Sequence, residues 1–554
     1  MKRAQLLAIV ALAWLGQSAQ GADGSDLDQR PKLVVLIVID QLPAYMIAKL
    51  ADHFEPGGLR LFMDKGSWFE QAHYRQAATL TGVGHATIAT GGLPAGHGIS
   101  GNDWYDREHD RDVYCVEDRA YHWVGGKNRP EDGTSPRNMT STTFGDEWII
   151  AQSFRPRVVG ISLKDRGSIL LAGQLGKAFW YDANSSLFIS SNYYFPEDKL
   201  PGWVEEFNSA RRVDKYFHQT WNLLLPEEAY GAAADDRLCE LPYKGLGRTF
   251  LHLLGDGLTQ AGPDFYKMFA STPQANELTL DFAKAAIAGE QLGQHGLTDI
   301  LCLSLTPNDY CGHEFGPESL EYHDLTLQTD RQLGRFFADL DRIIGLDQVV
   351  IVLTSDHGAT PTPEYLAEQG LEVDRIDPEA IARVVNAALD QRFGPAEWSA
   401  RFLNPGLSLR LEAMRQRGAT AAEAERIAAL AVRRLPGVAT VFTRGQLANN
   451  LLPQSKLARM AAATFHPERS PDLVIIQKPY WYLYKEMSKN AGMHGSPYPY
   501  DAHVPLMLFG RGITAGRFTR TVHIEDLAPT ITQYLGVPAP SASEGSPLNE
   551  ILKN

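Results

Sequence analysis

At 554 residues the chain is longer than one ordinary domain, and its 44% hydrophobic and 21% charged content describes a soluble globular protein with ample material for a core. A formal net charge of -14 excludes a surface built to coat nucleic-acid duplexes, but leaves small anionic substrates open, because local cations and metal ions govern those. Four cysteines, Cys115, Cys239, Cys302 and Cys311, lack the spacing of a zinc knuckle; two disulfides or four buried thiols would both suit them.

The chain opens with MKRAQLLAIVALAWLGQSAQG, residues 1–21: a basic start, an apolar stretch and small residues at Ala19 and Gly21. This is the pattern of a secretory signal cleaved before about Ala22, and no Cys follows it to take a lipid. The apolar part is short for a membrane span, so an exported, periplasmic or extracellular protein without a membrane span is expected. Next come KLVVLIVID, PAYMIAKLADHF and RLFMDKGSWFEQAHY, a strand-turn-helix alternation that predicts an α/β fold with a doubly wound, mostly parallel sheet flanked by helices. Residues from about 185 to 280 lose clean periodicity and read as an insertion over the active face. TLDFAKAAIAGEQLG reads as a helix returning to the strand DILCLSL. Ala-rich amphipathic segments such as AIARVVNAALDQRFG then suggest a second insertion, about 360–480, before PLMLFG resumes a core strand and VHIEDLAPTITQYLGV supplies a terminal helix. The expected organisation is thus one catalytic domain over residues 22–554, carrying two insertions.

Three apolar runs end on chemistry. KLVVLIVID stops at Asp40, DILCLSL leads to Asp309 and His313, and QVVIVLTSDHG stops at Asp356 and His357. Continuous Val/Ile/Leu runs are the habit of parallel strands covered on both faces, and ligands collect beyond the carboxyl ends of such strands. One such ending could be a plain turn; three suggest one shared edge. Carboxylates and imidazoles together suit zinc, and a pair of zinc ions needs about six protein ligands. Five are in hand, and GMHGSPYPYDAHVPL offers His494 or His503 as the sixth, His494 preferred for its flanking glycine. In AATLTGVGHATIATGG, Thr81 precedes a segment that could open a helix and present backbone N–H groups to an anion, with Thr79 and Thr87 as equally polar neighbours. In SLKDRGS, Lys164 and Arg166 stand two apart, so on an extended segment both would reach one phosphate.

The order of these residues resembles the alkaline phosphatase superfamily, and within it the exported bacterial phosphate monoesterases that use a threonine nucleophile and two zinc ions. The resemblance runs over nearly the whole mature chain, through VID at 38–40, TLTGVGHATIATG at 79–91, HGISGNDWYD at 97–106, SLKDRGS, NDYCGHEFG, SDHGAT and HGSPYPYDAHVP. It implies one zinc held by Asp40, Asp356, His357 and the nucleophile Thr81, and another held by Asp309, His313 and His494. It further implies that Asn102, Lys164 and Arg166 hold phosphate oxygens, and that Thr81 passes through a phosphothreonine intermediate. Because a monoester carries one more anionic oxygen than a diester, the cationic pair favours small phosphate monoesters as substrates. A monomer is expected. The alternative is a nucleotide pyrophosphatase or phosphodiesterase of the same superfamily. A sulfatase is disfavoured, since no cysteine sits in a C/S-x-P-x-R context. A zinc- or phosphate-binding protein without turnover would leave Thr81 and the cationic pair unexplained.

Overall fold

The computed structural model describes residues 30–552 except 127–132, 234, 238, 243–244 and 486–489. The leader at residues 1–21 lies outside the described residues. Ten strands build the main sheet: β1 (Leu33–Ile39), β2 (Ser67–His73), β3 (Trp123–Val124), β4 (Val158–Ser162), β5 (Lys177–Asp182), β6 (Leu187–Ser191), β7 (Asp299–Leu305), β8 (Val349–Thr354), β9 (His503–Gly510) and β10 (Gly516–His523). Their order across the sheet is β10-β2-β9-β8-β1-β7-β4-β5-β6-β3. The centre, β8-β1-β7-β4-β5, is wholly parallel. Antiparallel pairings of β9 with β8 and of β6 with β5 close this block on its two sides.

The composition of β1 explains its place. All seven residues of LVVLIVI are buried. Leu33, Val35, Ile37 and Ile39 enter one apolar cluster, while Val34, Leu36 and Val38 enter another on the opposite face. With period 2 in side-chain direction, only a strand covered on both faces uses an unbroken apolar run. Each buried Val, Leu or Ile contributes roughly 1.5–3 kcal/mol, so a charge placed within this run would cost the sheet its centre.

Three short helices begin just beyond strand ends or against them: α1 (Thr81–Thr90), α2 (Asp165–Ala172), which follows β4, and α3 (Pro307–Phe315), which follows β7. Helix α1 is buried along its whole length and rests directly on the turn after β8. A Cβ at Gly84 would lie 2.2 Å from the Asp356 carbonyl oxygen, so only glycine permits this approach.

Residues 378–477 include a separate four-stranded antiparallel sheet, in the order Ser399–Leu403, Gly406–Leu409, Leu473–Gln477, Val438–Thr443. Helices Pro378–Phe393 and Ala421–Val432 pack against it, and Ile381, Val385, Leu389, Trp398, Leu407 and Ile475 belong to a core of its own. Leu187–Ser191 pairs within the main sheet, and the helix Pro273–Gly289 packs beside it against residues of the main core. No helix among the described residues is long and apolar enough to cross a membrane. All four cysteines are buried and unbonded to one another, which decides between the two options their spacing left open.

Candidate active site

The parallel centre delivers its acids to one edge. Asp40 is the residue after β1, Asp356 lies two beyond β8, Lys164 lies two beyond β4, and Asp309 sits in the first turn of α3. Because these strands run in register, their carboxyl ends meet. Asp40, Asp356 and His357 bring one ligand atom each to within 4.8 Å of one another, and so do Asp309, His357 and His494. His313, four residues after Asp309 on α3, shares its helix face and places Nε2 3.3 Å from Asp309 Oδ1. His494 Nε2 stands 3.5 Å from the same oxygen. The rings of His357 and His494 stack at 3.6 Å between centroids. His503, the other candidate in that segment, lies on β9 instead, bonded to the Glu70 carbonyl and stacked on His73.

The three imidazoles share one orientation. Nδ1 of His313 faces the Gly492 carbonyl at 2.7 Å, Nδ1 of His357 the Gly358 carbonyl at 3.0 Å, and Nδ1 of His494 the Thr79 carbonyl at 2.8 Å. A carbonyl oxygen can only accept, so Nδ1 carries a proton, and in the neutral ring Nε2 keeps its lone pair toward the carboxylates; at His313 the neighbouring Asp309 raises the pKa. Burial lowers the pKa of both His357 and His494, which favours the neutral, ligating form. Asp40 Oδ1 and Asp356 Oδ2 are buried and lack a hydrogen-bond partner. Buried carboxylate oxygens without partners are costly unless a cation meets them, so this donor set fits metal ions.

The acids are not equivalent. Burial, then repulsion from Asp309 and Asp356, pushes Asp40 well above the usual carboxylate range. At Asp356 burial opposes ionisation but is outweighed by His357 and His85, which hold it below that range. Lys164 Nζ bridges Asp40 Oδ2 at 2.7 Å and Asp309 Oδ2 at 2.5 Å. Two of the three acids thus share one ammonium.

Thr81 is the first residue of α1 and is buried, with Oγ1 3.5 Å from His357 Nε2. Its backbone carbonyl faces His85 Nδ1 at 2.8 Å, which ties the first turn to the Asp356 side of the site. Thr79 points elsewhere, its hydroxyl donating to the Ser496 carbonyl, and Thr87 lies one and a half turns up α1 beside His97. The Gly82 N–H is not free for an anion as the sequence suggested: it donates to Asn102 Oδ1 at 2.7 Å. That bond fixes the Asn102 amide and leaves its Nδ2 hydrogens as the donors beside Thr81. Lys164 and Arg166 are also arranged differently from the extended segment expected. Lys164 caps α2 with extended backbone angles, whereas Arg166 is already in the helix. The turn after β4 is too tight for a strand continuation. The Arg166 guanidinium is directed by Tyr114, whose hydroxyl lies 3.3 Å away and itself donates to Asp165.

Sequence reasoning missed Gln41. Its Nε2 donates to Asp309 Oδ1 at 2.9 Å and its backbone N–H to Asp356 Oδ1 at 3.2 Å, so one residue orients an acid from each group. It does so at φ 65, a strained conformation for a non-glycine residue that the Tyr322 hydroxyl bond to its carbonyl helps to hold. Gly312 makes room for it, since a Cβ there would lie 1.8 Å from Gln41 Oε1. Nothing in a glutamine following an aspartate announces such a role.

Residues 34–497 match the family model described as type I phosphodiesterase / nucleotide pyrophosphatase. Among known proteins, the chain is 36% identical over 530 residues to alkaline phosphatase PhoV of Synechococcus elongatus, covering 95% of this chain and 93% of that one. It is 35% identical to a protein of Myroides odoratus named as a calcium-transporting ATPase, covering 95% of both. It is 33% identical over 542 residues to alkaline phosphatase PafA of Elizabethkingia meningoseptica, covering 96% of both. The crystal structure of wild-type PafA superposes with a TM-score of 0.87 at 32% identity, over 95% of this chain and 99% of that one. The chain belongs to the type I phosphodiesterase / nucleotide pyrophosphatase family, on its alkaline phosphatase side, and is a phosphate monoester hydrolase.

Proposed function

We propose that hydrolysis proceeds through a covalent phosphothreonine on Thr81 beside two zinc ions, one held by Asp40, Asp356, His357 and Thr81, the other by Asp309, His313 and His494. The observation that carries this reading is the pair of adjoining donor groups, Asp40 with Asp356 and His357, and Asp309 with His313 and His494, which share His357, whose Nε2 lies 3.5 Å from the Thr81 hydroxyl. When bound, such ions lower the pKa of a coordinated hydroxyl and stabilise negative charge on a departing oxygen. Asn102 Nδ2, Lys164 and Arg166 hold the non-bridging oxygens of the phosphoryl group. Thr81 Oγ gives its proton to solvent and attacks phosphorus in line, the phosphorus–ester oxygen bond breaks, and the departing alkoxide takes that proton back from solvent to leave as the alcohol. A water then attacks phosphorus from the vacated side, the bond to Thr81 Oγ breaks, and inorganic phosphate departs as the hydroxyl regains its proton. Two inversions give net retention at phosphorus.

A solved PafA variant carries substitutions at a threonine, an asparagine, a lysine and an arginine, and Thr81, Asn102, Lys164 and Arg166 follow one another in the same order and at the same separations. This supports assigning the four as a set. The basic and apolar leader at residues 1–21 supports export, with the small phosphate monoesters of the periplasm or medium as substrates. The test is Thr81→Ala in zinc-loaded protein: metal analysis should still find two ions per chain, while acid quenching during turnover should trap no phosphoprotein. Undiminished turnover in this variant would move the nucleophile elsewhere.

A further inference from the structure

Beside the reaction centre lies a cavity of about 440 Å³. Its floor is formed by Asn102, His313 and His494, so it opens over the Asp309 group and away from Asp40 and Asp356. In an in-line displacement at Thr81 the departing oxygen lies opposite the hydroxyl, and the alcohol behind it must go where space exists. That space is this cavity, whose size falls within the range of cavities that hold small ligands.

The walls carry chemical information. Leu80, Phe402, Leu403, Leu483 and Met493 make them largely apolar. Among the described residues lining the cavity there is no Lys or Arg, and the Asp103 carboxylate would repel a second phosphate on the leaving group. Amides interrupt the apolar wall at Asn404 and Asn490, and Asn404 stands beside Phe402 and Leu403 on the hairpin, where its side chain can donate to or accept from a polar group on a ligand. The hairpin bearing Phe402 and Asn404 (Ser399–Leu403 and Gly406–Leu409) is held near the site by ion pairs from Arg401 to Asp112 at 3.0 Å and from Arg410 to Asp110 at 2.9 Å. Asp112 belongs to a strand paired with Asp103–Asp106, which directly follows Asn102. The wall and the phosphate-holding amide are therefore parts of one assembly.

We propose that this cavity is a leaving-group subsite, selecting monoesters whose alcohol carries an aromatic or heteroaromatic ring with a polar edge and no further phosphate, with Phe402 and Asn404 as the determinants. The proposal rests on the phosphatase reading of the Thr81 centre. The ring lies along Phe402 and the apolar wall; its polar edge meets the Asn404 amide.

The experiment measures kcat/KM of the zinc-loaded full-length enzyme for benzyl phosphate, ethyl phosphate, adenosine 5′-monophosphate and adenosine 5′-diphosphate. Wild type should prefer benzyl to ethyl phosphate and the monophosphate to the diphosphate. Phe402→Ala should lower the benzyl-to-ethyl ratio about tenfold, with Phe402→Leu intermediate. Asn404→Ala should lower the adenosine monophosphate-to-benzyl ratio several-fold while keeping the benzyl-to-ethyl ratio. Ratios within one protein preparation are insensitive to the fraction folded, and inhibition by inorganic phosphate reports whether the reaction centre is intact. Ratios unchanged in every variant, with hydrolysis and phosphate inhibition preserved, would overturn the subsite alone. A wild type that hydrolyses none of the monoesters would overturn the phosphatase reading and the subsite with it.

Discussion

Lys164→Met tests the electrostatic reasoning most directly. In the structure the Lys164 ammonium is buried and, among the described residues, is the lysine or arginine that pairs with Asp40 and Asp309. Methionine keeps nearly the same length and volume but removes the charge. Breaking a buried pair by deleting one partner costs about 3–5 kcal/mol, because the remaining charges are stranded. Without metal, the variant should lose stability of that order. With zinc bound, divalent cations neutralise the same carboxylates, and the loss should shrink to about 1 kcal/mol. The thermodynamic cycle then requires zinc to bind the variant more tightly, by roughly two orders of magnitude, since metal no longer displaces an ammonium. Turnover should nevertheless fall about 10²–10³-fold through the lost contact to the phosphoryl oxygens. Urea unfolding of chelator-treated and zinc-loaded protein, with a competition titration against a chromophoric chelator, reads all three quantities. Equal destabilisation in both metal states, or weaker zinc binding in the variant, would refute the argument.

Replacing Lys164 and Arg166 together should depress hydrolysis of an aryl phosphate monoester far more than that of the matching diester; an equal loss on both would remove the basis for monoester preference. Gln41→Ala should weaken zinc binding about 10–100-fold by freeing the Asp309 carboxylate, measurable by metal titration without any substrate. Thr81→Ser should retain a trappable phosphoenzyme where Thr81→Ala does not, which a quenched-flow experiment with labelled phosphate ester distinguishes. Away from the centre, burial and then Glu321 push Glu240 up to about 8. The folded protein therefore holds a proton there that the unfolded chain has already lost above its own pKa near 4.5, so stability falls as pH rises from about 4.5 to about 8. Glu240→Gln should flatten that decline, and unfolding midpoints between pH 5 and pH 9 will show whether it does.

What the sequence made legible was whatever depended on strands buried on both faces. Asp40, Asp309 and Asp356 could be placed on one edge because an unbroken apolar run implies a central parallel strand, and a parallel sheet has one carboxyl edge. The choice between His494 and His503 turned on backbone freedom, and the structure brings His494 to the edge while β9 carries His503 away. Lys164 and Arg166 were assigned to an extended segment because spacing alone does not reveal where a tight turn starts a helix. Gln41 gave no signal, since its role comes from a positive φ and from the space beside Gly312, both products of tertiary packing. Phe402 and Asn404 were equally silent: their hairpin reaches the site through contacts some three hundred positions away in sequence.

The hairpin at residues 399–409 packs its apolar side chains into a cluster apart from the two that cover the faces of the main sheet, although the neighbouring strands of the small sheet also join one of those two. On the proposed reading, side chains that judge the alcohol hang from one scaffold, while those that handle phosphorus hang from another. A lineage could redraw the first by drift in a hairpin, trading one nutrient ester for the next, without disturbing a single strand beneath the reacting atoms. Conversely, grafting this hairpin onto a relative should carry its appetite along with it.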